Sequence, residues 1–302
     1  MWKLETNLVY ILDKSSVYSE CFRPYNIQTY ESYSCLQTNR FSRFIFRFFY
    51  SRTENKEKYY NQDLKNCGDA TIIAFDTVDI DLVKWIKSNN PKNRFIIFFI
   101  NTVRNSETPL LLKKIGCELW SFDKDDCKKY NMKFNDWYCC YTPDENRKIK
   151  YDVSFIGREK TRRPFLNEFA KYMKRNGITY YYHITHERNY PIINPFKYKH
   201  HISYSKMIEI EKQSKAIVEL VEPGQGGSTL RIMDSIFNNV KLITNFEKIR
   251  DSELYNPSNI YILNNNNFDG IKQFLNVSFE PYPNDIMEKY SFEHWIKKFN
   301  IQ

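Results

Sequence analysis

Residues Glu222 to Asn245 read EPGQGGSTLRIMDSIFNNVKLITN, and the apolar runs on either side of the helical part decide the fold. Ala216 to Val221 (AIVELV) leads into the stretch and Val240 to Thr244 (VKLIT) closes it. Both are short and rich in β-forming residues, so the segment between them is a loop and a helix joining two strands. A crossover of this kind belongs to a parallel sheet. The loop holds Gly224, Gly226 and Gly227, three of only 8 glycines in 302 residues. A chain so sparing of glycine groups three where its backbone turns sharply or where something must come close. Ser228 and Thr229 follow as helix N-cap residues. Helical spacing then puts Leu230, Met233 and Phe237 on one face and Arg231 with Asp234 on another.

That arrangement suits an anion. Amides and hydroxyls at Gly226, Gly227, Ser228 and Thr229 point out of a helix start, Arg231 one turn in can pair with the same phosphate, and Asp234 can accept from both hydroxyls of a ribose. A tight strand-to-helix turn with outward-facing Arg and Asp accounts for the same residues. A second charged segment is Tyr151 to Pro164, YDVSFIGREKTRRP. Its apolar strand ends in Gly157-Arg158, with Lys160, Arg162 and Arg163 close behind. Cations there oppose the dipole of the helix that follows; a bound anion accounts for that opposition, and a solvated helix start is the alternative.

On these two segments the chain resembles glycosyltransferases of the GT-B type, in the broad group that includes bacterial enzymes building capsule and lipopolysaccharide glycans. Many of those carry, at the same place, a Gly-rich loop and helix with two glutamates separated by seven residues, the second holding the donor ribose. Asp234 matches the second acid, one methylene shorter. Gly226 stands where the first acid is expected, so that acid is missing unless Glu222 or Gln225 replaces it, and a retaining mechanism does not carry over. Gly157-Arg158 and Lys160 resemble the Gly-Arg and Lys that neutralise the donor diphosphate. The motifs are specific only between residues 151 and 245.

The resemblance implies an α/β fold of two Rossmann-like domains facing a cleft. Residues 1–145 would bind the acceptor, 151–285 the nucleotide sugar, and 286–302 form a helix that crosses back to the first domain. Ser291 caps that last helix and Trp295, Ile296 and Phe299 give it an apolar face, which packing within its own domain would also explain. The implied reaction moves a sugar from a nucleotide-diphosphate sugar, as co-substrate, to a cell-surface glycan or lipid-linked acceptor, with no metal and no other cofactor. Gly157, Glu222, Gln225 and His183 are further candidate donor contacts.

Composition narrows the partners. A net charge of +9 is spread evenly along the chain, which fits anionic small molecules and head groups and singles out no nucleic-acid motif. The 7 cysteines are odd in number, lie in the first half and form no C-x-x-C pair, as in a reduced cytoplasmic protein. The opening MWKLETNLVYILDKS is too short in apolar residues for a signal peptide, and no run is long enough to span a bilayer. Membrane contact, at the inner face of the cell membrane, would be peripheral.

In the first half, Asn7 to Leu12 reads as a strand ending at Asp13, Ser15 and Ser16. Residues 40–52, RFSRFIFRFFYSR, form a basic amphipathic helix with Arg40, Arg43, Arg47 and Ser51 on one face and Phe41, Phe44, Ile45 and Phe48 on the other. Packing of that Phe face on the sheet is favoured over its lying on an anionic membrane. Strands and helices then alternate, and Asp76, closing one strand, is the candidate general base for the acceptor hydroxyl, with helix capping as its alternative. The run DKDD at 123–126 fits a helix cap, but Asp123 and Asp125 also suit the cation of a metal-dependent GT-A transferase. The polar segment Tyr141 to Lys150 reads as the linker. His183 and His186 are spaced for a metal only on a helix. A nucleotide- or polyanion-binding scaffold without turnover is the non-enzyme reading.

Overall fold

The computed structural model describes residues 8–12, 25, 27–34, 45, 46, 48–139, 147–186, 198–221, 227, 229–264 and 268–301. The expected ligand residues Glu222, Gln225, Gly226 and Ser228 lie outside them, as do Gly224, Asp13, Ser15, Ser16, Arg40, Phe41, Arg43, Phe44 and Arg47. The chain divides into two compact units, residues 1–136 with 296–302, and residues 137–295.

In the first unit the strands are β1 (Leu8–Leu12), β2 (Gln28–Glu31), β3 (Thr71–Phe75), β4 (Phe95–Phe99), β5 (Glu118–Ser121) and β6 (Lys133–Phe134). They form one parallel sheet in the order β2-β1-β3-β4-β5-β6. The helices α1 (Ile80–Asn89), α2 (Glu107–Lys114) and α3 (Lys124–Tyr130) supply the crossovers. Parallel strands are covered on both faces, which is why FIIFF in β4 is buried throughout. Asp79 caps α1 by accepting from the Asp81 amide at 2.8 Å. The chain re-enters this unit at residue 296: Phe299 packs edge-on against Trp120 at 4.7 Å, and its carbonyl accepts from Arg94 Nη1 at 2.5 Å.

The basic amphipathic stretch departs from its expected facing. Ile45, Phe48 and Phe49 are exposed, the last two by 42% and 55%. Phe46 and Tyr50 turn inward instead, onto Tyr33 at 4.9 and 5.4 Å. The tyrosines explain the offset: Tyr50 and Tyr33 both donate to Asp79 Oδ2, the latter at 3.3 Å, and this drags their side of the helical residues 48–50 onto the start of α1. Among the described residues no helix is long and apolar enough to cross a membrane.

The second unit carries β7 (Tyr151–Arg158), α4 (Arg163–Arg175), β8 (Tyr180–Thr185), α5 (Tyr204–Glu211), β9 (Ser214–Glu219), α6 (Leu230–Phe237), β10 (Lys241–Thr244), β11 (Ile260–Ile262), α7 (Ile271–Asn276) and α8 (Asn284–Lys289). A ninth helix, α9 (Phe292–Lys297), leads out of it. The sheet is again parallel, in the order β11-β10-β9-β7-β8. Both sheets therefore reverse direction beside their first strand, at β1/β3 and at β7/β9. In open α/β sheets such reversals leave a crevice beyond the carboxyl ends of the strands, where ligands bind.

Candidate functional site

The β7/β9 reversal is split. Pairing of β7 with β9 runs only from Tyr151↔Ser214 to Ser154↔Ile217. On its other side β7 stays paired with β8 as far as Arg158↔Thr185. Beyond the last rung, main-chain groups of the two separating strands need other partners, because a buried unpaired carbonyl costs as much as a lost hydrogen bond. Two arginines supply them. Arg231 Nη2 donates to the Ile156 carbonyl at 3.0 Å, and Arg162 Nη2 donates to the Leu220 carbonyl at 2.5 Å.

Arg231 was expected to face a phosphate. Its other terminal nitrogen instead makes an ion pair with Glu211 at the end of α5, and the Glu211 side chain is almost wholly enclosed. The guanidinium thus links α6, α5 and β7. Asp234 is likewise inside, 2% exposed, with Oδ1 accepting from the Tyr204 hydroxyl at the start of α5. Burial pushes its carboxyl upward against the opposing pull of Arg231 and Tyr204. Residues Ile232 to Phe237 are all buried, so α6 has no polar outer face; its charged side packs on α5. This corrects the two-faced reading of that helix.

Cations do gather at the carboxyl end of β7. Arg158 is exposed and Lys160 half-buried, and Lys160 adopts a left-handed backbone, φ 46°. Non-glycine residues seldom take that region, and strain of this sort concentrates at ligand sites. Between them Glu159 points inward, accepting from Arg163 and from Tyr198, and these bonds hold it below the usual carboxylate range despite burial. Gly157 has φ < 0 but little room: an added Cβ would meet Phe155 Cζ at 3.3 Å.

The start of α6 lies in the same unit, on the β9 side. Thr229 is its N-cap, accepting from the Arg231 amide at 3.1 Å, and Gly227 just before it is buried. The Thr229 hydroxyl donates to Glu219, and Thr244 donates to the other oxygen of Glu219 at 2.7 Å. Glu219 is 4% exposed and burial raises its pKa. It sits inside the run AIVELV, where an acid in an apolar strand is the mark it leaves in the sequence. His183 is also enclosed: Nε2 donates to the His200 carbonyl at 2.8 Å, and Nδ1 lies 3.4 Å from the Tyr181 hydroxyl.

In the first unit, Asp76 stands at the carboxyl end of β3, beside the other reversal. Oδ1 accepts from the Ile100 amide at 2.9 Å and Oδ2 from Asn101 Nδ2 at 3.4 Å. Burial nevertheless pushes its carboxyl up to about 6. Asp76 does not cap α1, since Asp79 does. Asp123 caps α3, accepting from the Asp125 and Asp126 amides at 2.9 and 3.2 Å, and Asp126 accepts from the Val103 amide at 2.7 Å. Among the described residues no three His, Cys, Asp or Glu side chains converge as metal ligands.

No protein-family model matches the sequence, and no curated protein matches it. Among solved structures the chain is similar to the glycotransferase of kitacinnamycin, at 10% identity and TM-score 0.39, covering 85% of this chain and 79% of that one. An alpha1,3-fucosyltransferase is similar at 11% identity and TM-score 0.37, covering 98% and 82%. The spinosyn forosaminyltransferase SpnP is similar at 8% identity and TM-score 0.40, covering 98% and 95%.

Proposed function

We propose that the chain is a GT-B-type glycosyltransferase that takes a sugar from a nucleotide-diphosphate sugar. The observation that carries this reading is the split reversal of the second sheet, which has Arg158 and a left-handed Lys160 on one side and the capped start of α6 on the other. Two cations and a helix N-terminus are the means by which a protein meets a diphosphate without a metal, and they stabilise the negative charge that develops on the leaving group. Arg158 and Lys160, with Gly226, Gly227, Ser228 and Thr229, would hold the diphosphate. Arg231 would act by positioning α6. Asp234 would take the ribose, whose hydroxyl would replace that of Tyr204.

The first unit would bind the acceptor, a cell-surface glycan or a lipid-linked sugar, with Asp76 removing the proton from its hydroxyl. A carboxyl held near neutrality suits a general base. Exposed Ile45, Phe48 and Phe49 beside Arg52 would let that unit rest on the inner face of a membrane.

The deciding experiment is a melting-temperature screen against nucleotides and nucleotide sugars, with and without EDTA. A ligand at a hundred times its Kd adds about 2.7 kcal/mol of stability. One nucleotide family should raise the melting temperature, EDTA should not matter, and Arg158→Ala should cut the shift to about half. Stabilisation that requires a metal would return attention to Asp123 and Asp125, and no shift at all would remove the donor site.

A further inference from the structure

We propose that Asn101 is the positioning residue for Asp76, and that Asp126 keeps it in place by pinning the loop between β4 and α2 at Val103. The proposal rests on the reading of Asp76 as acceptor base and names the residues that hold that base to its task.

Both oxygens of Asp76 are bonded to consecutive residues of one loop. Oδ1 accepts from the Ile100 amide at 2.9 Å and Oδ2 from Asn101 Nδ2 at 3.4 Å. The first donor is main chain directly after β4, so the sheet fixes it. The second is an exposed side chain, whose place depends on where the loop lies. Further along, the Val103 amide donates to Asp126 Oδ2 in α3 at 2.7 Å, and the Val103 side chain packs on the core. Asn105 then accepts from the Glu107 amide at 3.0 Å where α2 opens. The loop is therefore held on both sides of Asn101, by β4 before it and by Asp126 and α2 after it.

A carboxylate oxygen has two lone pairs. Oδ2 gives one to Asn101 across a long bond to an exposed side chain, and the other is the pair that an acceptor hydroxyl would meet. The hydroxyl proton passes to that pair, and its bonding electrons stay on the acceptor oxygen. An amide suits this position. It favours the ionised carboxylate, as a donor must, but draws its pKa down less than a cation would, and a base drawn too low loses its hold on a proton. Burial pushes the Asp76 carboxyl up to about 6 against the bonds from Ile100 and Asn101. The charged residues on the adjoining elements are Asp79 at the cap of α1, Arg104 in the loop, Glu107 opening α2, and Asp123 and Asp126 at the start of α3. None of them is among the groups that shift Asp76.

The test is carbon NMR of protein isotope-labelled at its aspartate carboxyls, titrated through the acid and neutral range, with Asp76→Asn identifying the signal. Asn101→Leu should raise the Asp76 midpoint by roughly 0.3–1 pH unit, the size of one hydrogen bond. Asn101→Asp should raise it further, since it sets a like charge there. Asp126→Ala should raise it too as the loop loosens, although losing a negative charge would by itself only lower it. Asp126→Asn, which still accepts from Val103, should leave it near the wild-type value. A midpoint that ignores both Asn101 variants overturns the positioning role while Asp76 stays free to be the base. One that stays or falls in Asp126→Ala overturns the pin. If melting curves show that this variant does not fold, hydrogen exchange at the wild-type Val103 amide decides: slow exchange supports the pin, and exchange as fast as in an open loop overturns it. Sugar transfer that survives in Asp76→Asn would overturn the base reading and the proposal together, whatever the titrations show.

Discussion

The two sheets have the same strand order around their reversals but treat them differently. In the first, β1 stays paired with β3 from Leu8↔Thr71 to Ile11↔Ala74, almost to the strand ends, and the residue presented beyond is a carboxylate, Asp76. In the second, β7 and β9 part early, two guanidiniums bond the carbonyls at the gap, and the residues presented beyond are cations. On the proposed function, one architecture would yield an edge suited to removing a proton and an edge suited to holding phosphate. The lesson is that strand order says where a ligand sits, while the length of the ladder and the residues that follow it say which ligand.

The contrast can be broken most severely through Arg231. Arg231→Ala should destabilise the second unit by about 3–5 kcal/mol in urea unfolding, because it leaves Glu211 charged and enclosed. Arg231→Met combined with Glu211→Leu should recover much of that loss. A stable Arg231→Ala with weakened nucleotide binding would instead give this arginine a phosphate after all. Next in size is Asp76→Asn, which should cut sugar transfer by roughly 10²–10⁴-fold while leaving nucleotide affinity alone; a variant that binds nucleotide poorly would erase the division of labour between the sheets. Because the base must be ionised, wild-type transfer should fall as pH drops through about 6. The linkage with stability runs the other way: a carboxyl raised in the folded state favours folding below its unfolded pKa, and that contribution is lost as pH rises through about 6.

Smaller effects sharpen the picture. Arg158→Ala should weaken nucleoside diphosphate binding by roughly tenfold, about 1.4 kcal/mol, and nucleoside binding hardly at all. Equal losses for both ligands would move Arg158 away from the phosphates. Lys160→Gly should raise stability by about 1 kcal/mol, since glycine takes φ 46° freely, yet lower the same affinity. A variant that gains stability and keeps its affinity would mean that the strain at Lys160 serves only the turn.

Much of this was legible in the residues. Apolar runs such as TIIAF, FIIFF and DVSFIG gave the strands, and GREKTRRP gave the cationic turn, because burial on both faces and a clash with a helix dipole leave marks within a short window. The ion pair of Arg231 was not legible, for the opposite reason. Its partner Glu211 lies on another helix, and helical spacing shows which side a residue is on without showing what stands opposite. Glu219 was hidden by its neighbours, since one acid in AIVELV hardly disturbs an apolar pattern. Helical spacing set Ile45 and Phe48 on the apolar face, yet Phe46 and Tyr50 turn inward, because periodicity cannot foresee a pull from Asp79, 29 residues beyond Tyr50.

The return of residues 296–301 to the first unit bears on how the chain is made. Phe98 and Trp120 receive Phe299 only after the whole second unit has been synthesised. A ribosome-bound chain stopped before Ile296 therefore carries a first sheet with two aromatic rings uncovered and the Arg94 guanidinium without its Phe299 carbonyl. Such nascent chains should be cut by protease in the first unit until the tail emerges, and a synthetic peptide spanning 296–302 should protect them.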